Sequence, residues 1–216
     1  MHFKQFKLAA TLIFTVLLAD QLFKFWVKTN MYLGQEFHIA GQWFIIHFVE
    51  NEGMAFGLSF GGNYGKLALS LFRVAAVCGI GYYLYKLIKE GVHTMYVTSL
   101  SLIFAGAIGN IIDSIFYGVL FSSSEFQVAT FLPAEGGYAT WMHGRVVDML
   151  YFPLIRGTFP DWFPLWANQS FEFFRPVFNL ADSSITIGVC LFLIFQKQIF
   201  KSEQAKNTAT PTQDFQ

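Results

Sequence analysis

The sequence predicts a helical membrane protein, with four transmembrane helices, both termini in the cytoplasm and a small β-rich cap on the extracytoplasmic side. Composition is the first observation behind this prediction. Of 216 residues, 54% are hydrophobic and 13% are charged, whereas soluble domains carry about 25% charged residues. The second observation is a set of four long apolar runs, and the third is the placement of lysines at alternate ends of those runs.

The four apolar runs are the predicted spans, because a helix needs roughly 20 apolar residues to cross a bilayer. The first run follows two lysines, as a secretory signal does, but no small-residue cleavage pattern comes after it, so we predict a retained helix. The spans cover about residues 8–27, 67–88, 95–117 and 178–200. We expect them to form a single membrane-embedded domain over residues 1–200.

Lysines in the short flanks of the spans set the predicted orientation. They are Lys4, Lys7, Lys86, Lys89, Lys197, Lys201 and Lys206. Lysine and arginine in short loops remain on the cytoplasmic side of a membrane. Both termini are therefore predicted to be cytoplasmic, and the polar tail, residues 201–216, is predicted to be disordered.

Two longer segments, about 28–66 and 118–177, are then placed on the outer side. The first contains "QWFIIHFVE", whose aromatic and β-branched residues predict a strand. The second is too long for a simple connector, and a loop of this length is usually functional or folded in its own right. Together the two segments predict the β-rich cap.

Polar side chains occur in all four spans at one level, near the outer end. Where a span has two of them, they are three or four residues apart and share a helix face. They are Asp20 and Lys24, Arg73, Asn110 and Asp113, and Asn179 and Asp182. A charged side chain at membrane depth costs roughly 2.5–3.5 kcal/mol on insertion scales, so we expect these residues to be paired or functional.

A further carboxylate, Asp148, follows two valines in "GRVVDML", as in a strand that enters an apolar layer. Asp148 and Asp182 are therefore candidates for a facing pair. Two nearby carboxylates in a low-dielectric site keep one proton between them. One can then accept a proton from water while the other donates to a carbonyl oxygen, which cleaves an amide without a metal or a covalent intermediate. The HExxH and GxSxG motifs of rival hydrolases are absent from the sequence.

Three kinds of function stay open on these residues alone: a peptidase, a small proton-coupled transporter or channel, and a non-catalytic assembly or chaperone protein of the envelope. Intramembrane acids also mark proton relays, although a relay needs acids throughout the membrane thickness. Asp20 with Lys24 could equally be a structural pair, and Arg73 could reach the interface or pair with a buried acid. The net charge of zero argues against nucleic-acid binding.

Five motifs, read in order, resemble those of the lipoprotein signal peptidases (signal peptidase II), the intramembrane aspartyl peptidases of bacteria. They are "DQLFK", "ENEGMAFG", "GAIGNIID", "GRVVDM" and "FNLADSSITIG", from about Ala19 to Gly188. The resemblance implies removal of the signal peptide from diacylglyceryl-modified prolipoproteins, by a cut just before the lipidated cysteine. It also implies a place in the bacterial cytoplasmic (inner) membrane, with the active site at the outer face.

By motif, the resemblance makes Asp148 and Asp182 the catalytic residues, with no metal and no cofactor. The supporting residues that it implies are Asp20, Lys24, Asn51, Gly53, Asn110, Asp113, Arg145 and Asn179. The expected partners are diacylglyceryl-prolipoprotein substrates and membrane lipids, and we expect a monomer. Two features depart from the family. Ser114 stands where many members have arginine, for which Arg73 and Arg145 are candidate substitutes, and the outer stretches 121–140 and 159–176 are long for the family.

Overall fold

The computed structural model describes residues 2–52, 62–173 and 176–209. Within these ranges only the backbone is described for 62–63, 156, 172–173 and 201–209. Gly53, one of the predicted supporting residues, lies outside the described residues.

The described chain contains four helices that are long and apolar enough to cross a membrane, which confirms the predicted set of spans. The third begins as an α-helix, passes through a π-helical segment, Asp113–Tyr117, and ends with a short α-helical turn. The helices are α1 (His2–Asn30), α2 (Gly62–Glu90), α3 (Thr94–Ile112), α4 (Gly118–Leu120) and α5 (Leu180–Ala209).

The strands form a small antiparallel sheet and a separate two-stranded hairpin. They are β1 (Glu36–Ala40), β2 (Phe44–Asn51), β3 (Val146–Tyr151), β4 (Ile155–Thr158), β5 (Ser170–Phe173) and β6 (Val177–Phe178). The sheet has the order β1-β2-β3-β6, and β4 pairs with β5. The strand predicted from "QWFIIHFVE" is confirmed as β2, and a β-rich element accompanies the four helices as predicted.

Both ends of the last helix differ from the sequence-based prediction. We expected the span to begin at residue 178, but Val177 and Phe178 pair with Tyr151 and Leu150 of β3, so α5 begins at Leu180. The helix then continues to Ala209, into the tail for which disorder was predicted. Its backbone hydrogen bonding therefore extends past the apolar run that ends near Phe200.

The described chain divides into two compact units, each assembled from separate segments. Unit 1 contains Met1–Gln21, Leu67–Ile112 and Leu180–Gln216, and unit 2 contains Leu22–Lys66 and Asp113–Asn179. The expectation of a single domain over residues 1–200 stays a prediction.

Unit 1 is a helical unit in which small residues allow close packing. A Cβ added to Gly106 of α3 would lie 2.2 Å from the carbonyl oxygen of Ala181 in α5, and one added to Gly188 would lie 2.7 Å from the carbonyl oxygen of Ser99. Glycine at these positions lets the two helix backbones approach directly. A buried apolar cluster that includes Leu84, Leu87, Ile88, Val92 and Val97 lies elsewhere in the same unit.

Unit 2 contains the four-stranded sheet, and its third strand is its most buried one. Every residue of β3 is buried, and Val49 of β2 stands opposite Asp148 of β3 in the antiparallel register. A carboxylate is therefore placed inside an otherwise apolar strand, where it needs hydrogen-bond partners to remain.

Gly106→Ala should destabilise the protein by about 1–3 kcal/mol, because the added methyl group forces α3 and α5 apart. Thermal unfolding in detergent measures this effect. Gly79→Ala on α2 is the matched control, since nothing lies within 4 Å of its added Cβ and alanine is favoured over glycine in a helix by about 0.5–1 kcal/mol. Equal unfolding temperatures for the two variants would contradict the close approach of these helices.

Candidate active site

Asp148 is held by two asparagine side chains within unit 2. It is 4% exposed. The Asn179 Nδ2 donates to Asp148 Oδ1 over 2.7 Å, and the Asn51 Nδ2 donates to Asp148 Oδ2 over 3.4 Å. Amide donors orient a carboxylate without supplying a charge that neutralises it. The structure thus brings together three of the residues that the sequence singled out.

Asn179 has a different place from the one predicted. We expected it in the first turn of the last span, but it lies between β6 and α5, before the helix begins. It is fully buried, and its Nδ2 also donates to the carbonyl oxygen of Val147 over 3.3 Å. The pairing of β6 with β3 carries Asn179 to this position, so the residue fixes both the Asp148 side chain and the strand beside it.

Lys24 and Asp113 form a buried ion pair in unit 2. The Lys24 Nζ lies 2.8 Å from Asp113 Oδ2, and both side chains are 0% exposed. The same carboxylate oxygen accepts the N–H of Val147 over 3.1 Å, and Val147 directly precedes Asp148. Asp113 therefore anchors the strand that carries Asp148.

Asn110 and Asp113 were predicted to act from one helix face, but their contacts differ. Asp113 begins the π-helical segment and contacts Lys24 and Val147 in unit 2. Asn110 belongs to unit 1, where its Nδ2 donates to Asp182 Oδ1 over 2.8 Å. A π-helical segment changes the angular spacing of side chains along a helix, and the sequence pattern does not reveal it.

A second ion cluster in unit 2 contains Arg145 and two residues that sequence reasoning missed, Lys28 and Glu50. Lys28 is fully buried; its Nζ pairs with Glu50 and donates to the Ser124 Oγ over 2.8 Å. Arg145 reaches Glu50 over 3.3 Å and Glu52 over 2.9 Å. Lys28 follows Lys24 by one helical turn, which is the signal that could have pointed to it.

The pKa values of Arg145 and Glu52 reflect this cluster. Burial alone lowers the pKa of Arg145, but its hydrogen bonds to Glu52 and Glu50 raise it above the ordinary value. Burial alone raises the pKa of Glu52, whereas the hydrogen bonds from Lys66 and Arg145 lower it below the ordinary value. Both side chains are thus held in their charged forms, which suits Arg145 to a structural role.

Asp182 lies in the first turn of α5, within unit 1. The helix dipole favours a negative charge at this position, and the Asn110 amide orients one carboxylate oxygen. Asp182 also lines a cavity of about 280 Å³, together with Arg73, Ala76, Val77, Ile80, Ala107, Asn110, Ile111 and Ile185. Arg73, considered as a possible snorkelling residue, thus faces the same cavity as the candidate catalytic acid.

Asp20 positions the start of α5. It is 1% exposed, and its Oδ1 accepts the N–H of Ala181 over 2.9 Å. This amide is one of the donors that a helix N-terminus leaves without an internal partner. Gln21 donates to Asp20 Oδ2 over 3.1 Å and to the carbonyl oxygen of Gly109 over 3.2 Å. Asp20 therefore caps the helix that carries Asp182.

Comparison with known proteins gives the family. The family model described as "Signal peptidase (SPase) II" matches residues 12–197 of this chain. The chain belongs to the signal peptidase II family. The chain is thus a member of a protease family, and its described part has four helices suited to crossing a membrane. Family membership confirms the resemblance seen in the five motifs. This membership supports the peptidase interpretation over the transporter and assembly alternatives.

Two relatives agree with that membership, and a solved structure has the same fold. The chain is 56% identical over 191 residues to a lipoprotein signal peptidase of Porphyromonas gingivalis, covering 88% of this chain and 83% of the relative. It is 37% identical over 198 residues to one of Amoebophilus asiaticus, covering 90% and 80%. A bacterial membrane enzyme structure determined by the in meso method at 1.9 Å resolution has the same fold, with a TM-score of 0.57 and 24% identity, over 87% of this chain and 91% of that one.

Lys24→Met should cost about 3–5 kcal/mol of stability, because it leaves the buried Asp113 carboxylate without its cation. Thermal unfolding in detergent is the measurement. Lys24→Met combined with Asp113→Asn should recover most of the loss, since asparagine is neutral and can still accept the Val147 N–H.

Lys86→Met is the control for this prediction. Lys86 forms an exposed i,i+4 pair with Glu90 at 3.7 Å, and such pairs are worth about 0.3–0.5 kcal/mol. If Lys24→Met lowered the unfolding temperature no more than Lys86→Met does, the Lys24–Asp113 pair would not anchor β3.

Proposed function

We propose that this protein removes the signal peptide from diacylglyceryl-modified prolipoproteins, cutting before the lipidated cysteine, with Asp148 and Asp182 as the acid–base pair. Membership of the signal peptidase II family supports the reaction class. The observation that carries the residue assignment is the surroundings of the two acids. Each accepts a hydrogen bond from an asparagine amide, Asp148 from Asn179 and Asp182 from Asn110. Such a donor orients a carboxylate while leaving its proton chemistry available.

The proposed reaction uses one proton between two carboxylates. The ionised carboxylate takes a proton from water as the water oxygen attacks the scissile carbonyl carbon, and the protonated carboxyl donates to the carbonyl oxygen. Collapse of the tetrahedral intermediate breaks the C–N bond, and the proton taken from water passes to the leaving amine of the lipidated cysteine. One hydroxyl proton of the intermediate returns to the other carboxylate, which restores the pair and leaves the new carboxyl group on the signal peptide.

The remaining predicted residues have supporting roles in this proposal. Asn51 and Asn179 orient Asp148, while Asn110 orients Asp182. Asp20 caps the helix that carries Asp182. The Lys24–Asp113 pair anchors β3, and Arg145 holds the acidic side chains of Glu50 and Glu52.

We place the reaction at the outer face of the bacterial cytoplasmic (inner) membrane, with both termini in the cytoplasm. The lysines in the short flanks support this orientation. A diacylglyceryl-modified cysteine is held at the bilayer surface by its acyl chains, so the enzyme must meet it there. The proposed partners are these prolipoproteins and membrane lipids, with the enzyme acting as a monomer.

Asp148→Asn and Asp182→Asn should each lower kcat for a diacylglyceryl-modified prolipoprotein by about 10²–10⁴-fold, the contribution typical of positioned acid–base groups. Asparagine keeps the size and much of the hydrogen bonding while removing the proton cycle. Cleavage by purified protein in detergent is measured beside thermal unfolding, so that loss of activity is separated from loss of fold.

Asp161→Asn is the matched control, since Asp161 is an exposed acid between β4 and β5 and its variant should cleave at the parent rate. Parent-rate cleavage by a folded Asp148→Asn or Asp182→Asn protein would remove that residue from the mechanism. A parent protein that never cleaves would return the transporter and assembly functions to consideration.

A further inference from the structure

An arginine lines an otherwise mainly apolar cavity in the helical part of the protein. The cavity, of about 280 Å³, lies among α2, α3 and α5 of unit 1. Arg73, Asn110 and Asp182 are its polar lining residues. The other lining residues are Ala76, Val77, Ile80, Ala107, Ile111 and Ile185.

The spacing of these residues explains how the cavity forms. On α2 the lining residues Arg73, Ala76, Val77 and Ile80 are separated by three, four and seven positions from the first, which places them on one helix face. The short side chain of Ala76 on this face, and that of Ala107 on α3, leave room that a larger residue would occupy. Arg73 and the cavity therefore lie on the same face of α2.

Arg73 is half-buried, and a charged side chain in a span is costly, so a function is the default hypothesis. Arg73 interacts electrostatically with Asp182, and Asp182 also accepts a hydrogen bond from Asn110. A guanidinium has five N–H donors in a fixed planar arrangement. A planar donor set of this kind can bind more than one acceptor at the same time. A guanidinium that lines the cavity is therefore suited to bind an acceptor inside it.

The size and lining of the cavity define what it can accept. Ligand pockets typically measure about 300–1,000 Å³, so this cavity suits one segment of a larger molecule. Its lining favours an apolar segment, and Arg73 favours an acceptor oxygen within that segment. A carbonyl group meets both demands, because it accepts hydrogen bonds and carries no charge that would repel Asp182.

We propose that Arg73 donates to a carbonyl oxygen of the substrate in this cavity and so positions the scissile bond beside Asp182. The inference rests on the proposed peptidase function. The carbonyl belongs either to the peptide backbone before the cut or to an acyl ester of the diacylglyceryl group. Both sources present a carbonyl attached to an apolar chain. A substrate without ester carbonyls distinguishes them.

The experiment compares the parent, Arg73→Gln and Arg73→Lys as full-length proteins in detergent. Arg73→Gln should lower kcat/KM by about 10–100-fold, mainly through a higher KM, because a hydrogen bond from a charged donor is lost. Arg73→Lys keeps the charge but loses the planar donor set, so it should be intermediate. An unchanged KM with a reduced kcat would overturn the proposal, since Arg73 would then act on Asp182 alone.

Binding separates this proposal from the proposed reaction. In an Asp148→Asn background, the Kd for a diacylglyceryl-modified peptide should rise about 10-fold or more when Arg73 is replaced by glutamine. If the parent cleaves and Arg73→Gln binds and cleaves as well as the parent does, the Arg73 site is refuted while the peptidase function stands. If the parent never cleaves, the peptidase function fails, and the Kd comparison still decides whether Arg73 binds the lipidated peptide.

A matched pair of variants tests the cavity itself. Ala75 and Ala76 are both exposed alanines of α2, but only Ala76 lines the cavity. Ala76→Leu should therefore narrow the cavity and raise KM, whereas Ala75→Leu should not. Equal KM values for the two variants would contradict occupation of the cavity by substrate.

A dialkylglyceryl substrate, which lacks ester carbonyls, identifies the acceptor. If the effect of Arg73→Gln disappears with the ether substrate, the acceptor is an acyl ester carbonyl. If the effect is equal on both substrates, the acceptor is a peptide carbonyl. Either result supports the proposal, whereas no effect of Arg73→Gln on either substrate refutes it.

Discussion

The buried ion pair between Lys24 and Asp113 is the interaction on which the surroundings of Asp148 depend. Removing two charges from water costs several kcal/mol per ion, and only close, well-bonded geometry compensates for it. Here the two groups are 2.8 Å apart, and the same Asp113 oxygen accepts the N–H of Val147. A charge on α1 thereby determines the position of the strand residue that precedes Asp148. Within unit 2, the pair connects the last part of α1 to the sheet.

The four buried or half-buried aspartates among the described residues have different partners. Asp113 pairs with a lysine, and Asp20 accepts a backbone N–H at a helix N-terminus, which commits it to the backbone. Asp148 and Asp182 accept asparagine amides, and Asp182 also interacts electrostatically with Arg73. The two acids oriented by asparagine amides are the ones to which we assign proton transfer.

Much of the fold was predictable because its causes are local. Four apolar runs of sufficient length predicted the four helices, and the aromatic and β-branched residues before Asn51 predicted β2. The candidate site residues were recognisable because charged and amide side chains are rare in apolar runs. Their spacing, together with the five motifs, is what makes the sequence resemble the family.

What the sequence did not reveal depends on contacts between distant residues. α5 begins at Leu180 and not at the predicted residue 178, because Val177 and Phe178 pair with β3, about 27 residues earlier in the chain. The pairing of Lys28 with Glu50 was not predicted, because the two residues are distant in the sequence and only the fold brings them together. Likewise, nothing in the aromatic stretch 159–176 indicated that Ser170–Phe173 would pair with Ile155–Thr158 as the β4–β5 hairpin.

The claim that one proton is shared by two carboxylates during hydrolysis is the centre of this account. Its most direct test is the pH dependence of kcat/KM for the parent protein with a diacylglyceryl-modified prolipoprotein, over the range in which thermal unfolding shows the protein to be folded. The account predicts a bell-shaped profile, because one carboxyl group must be ionised and the other protonated. A profile that is flat, or that falls on one side only, would contradict the shared proton.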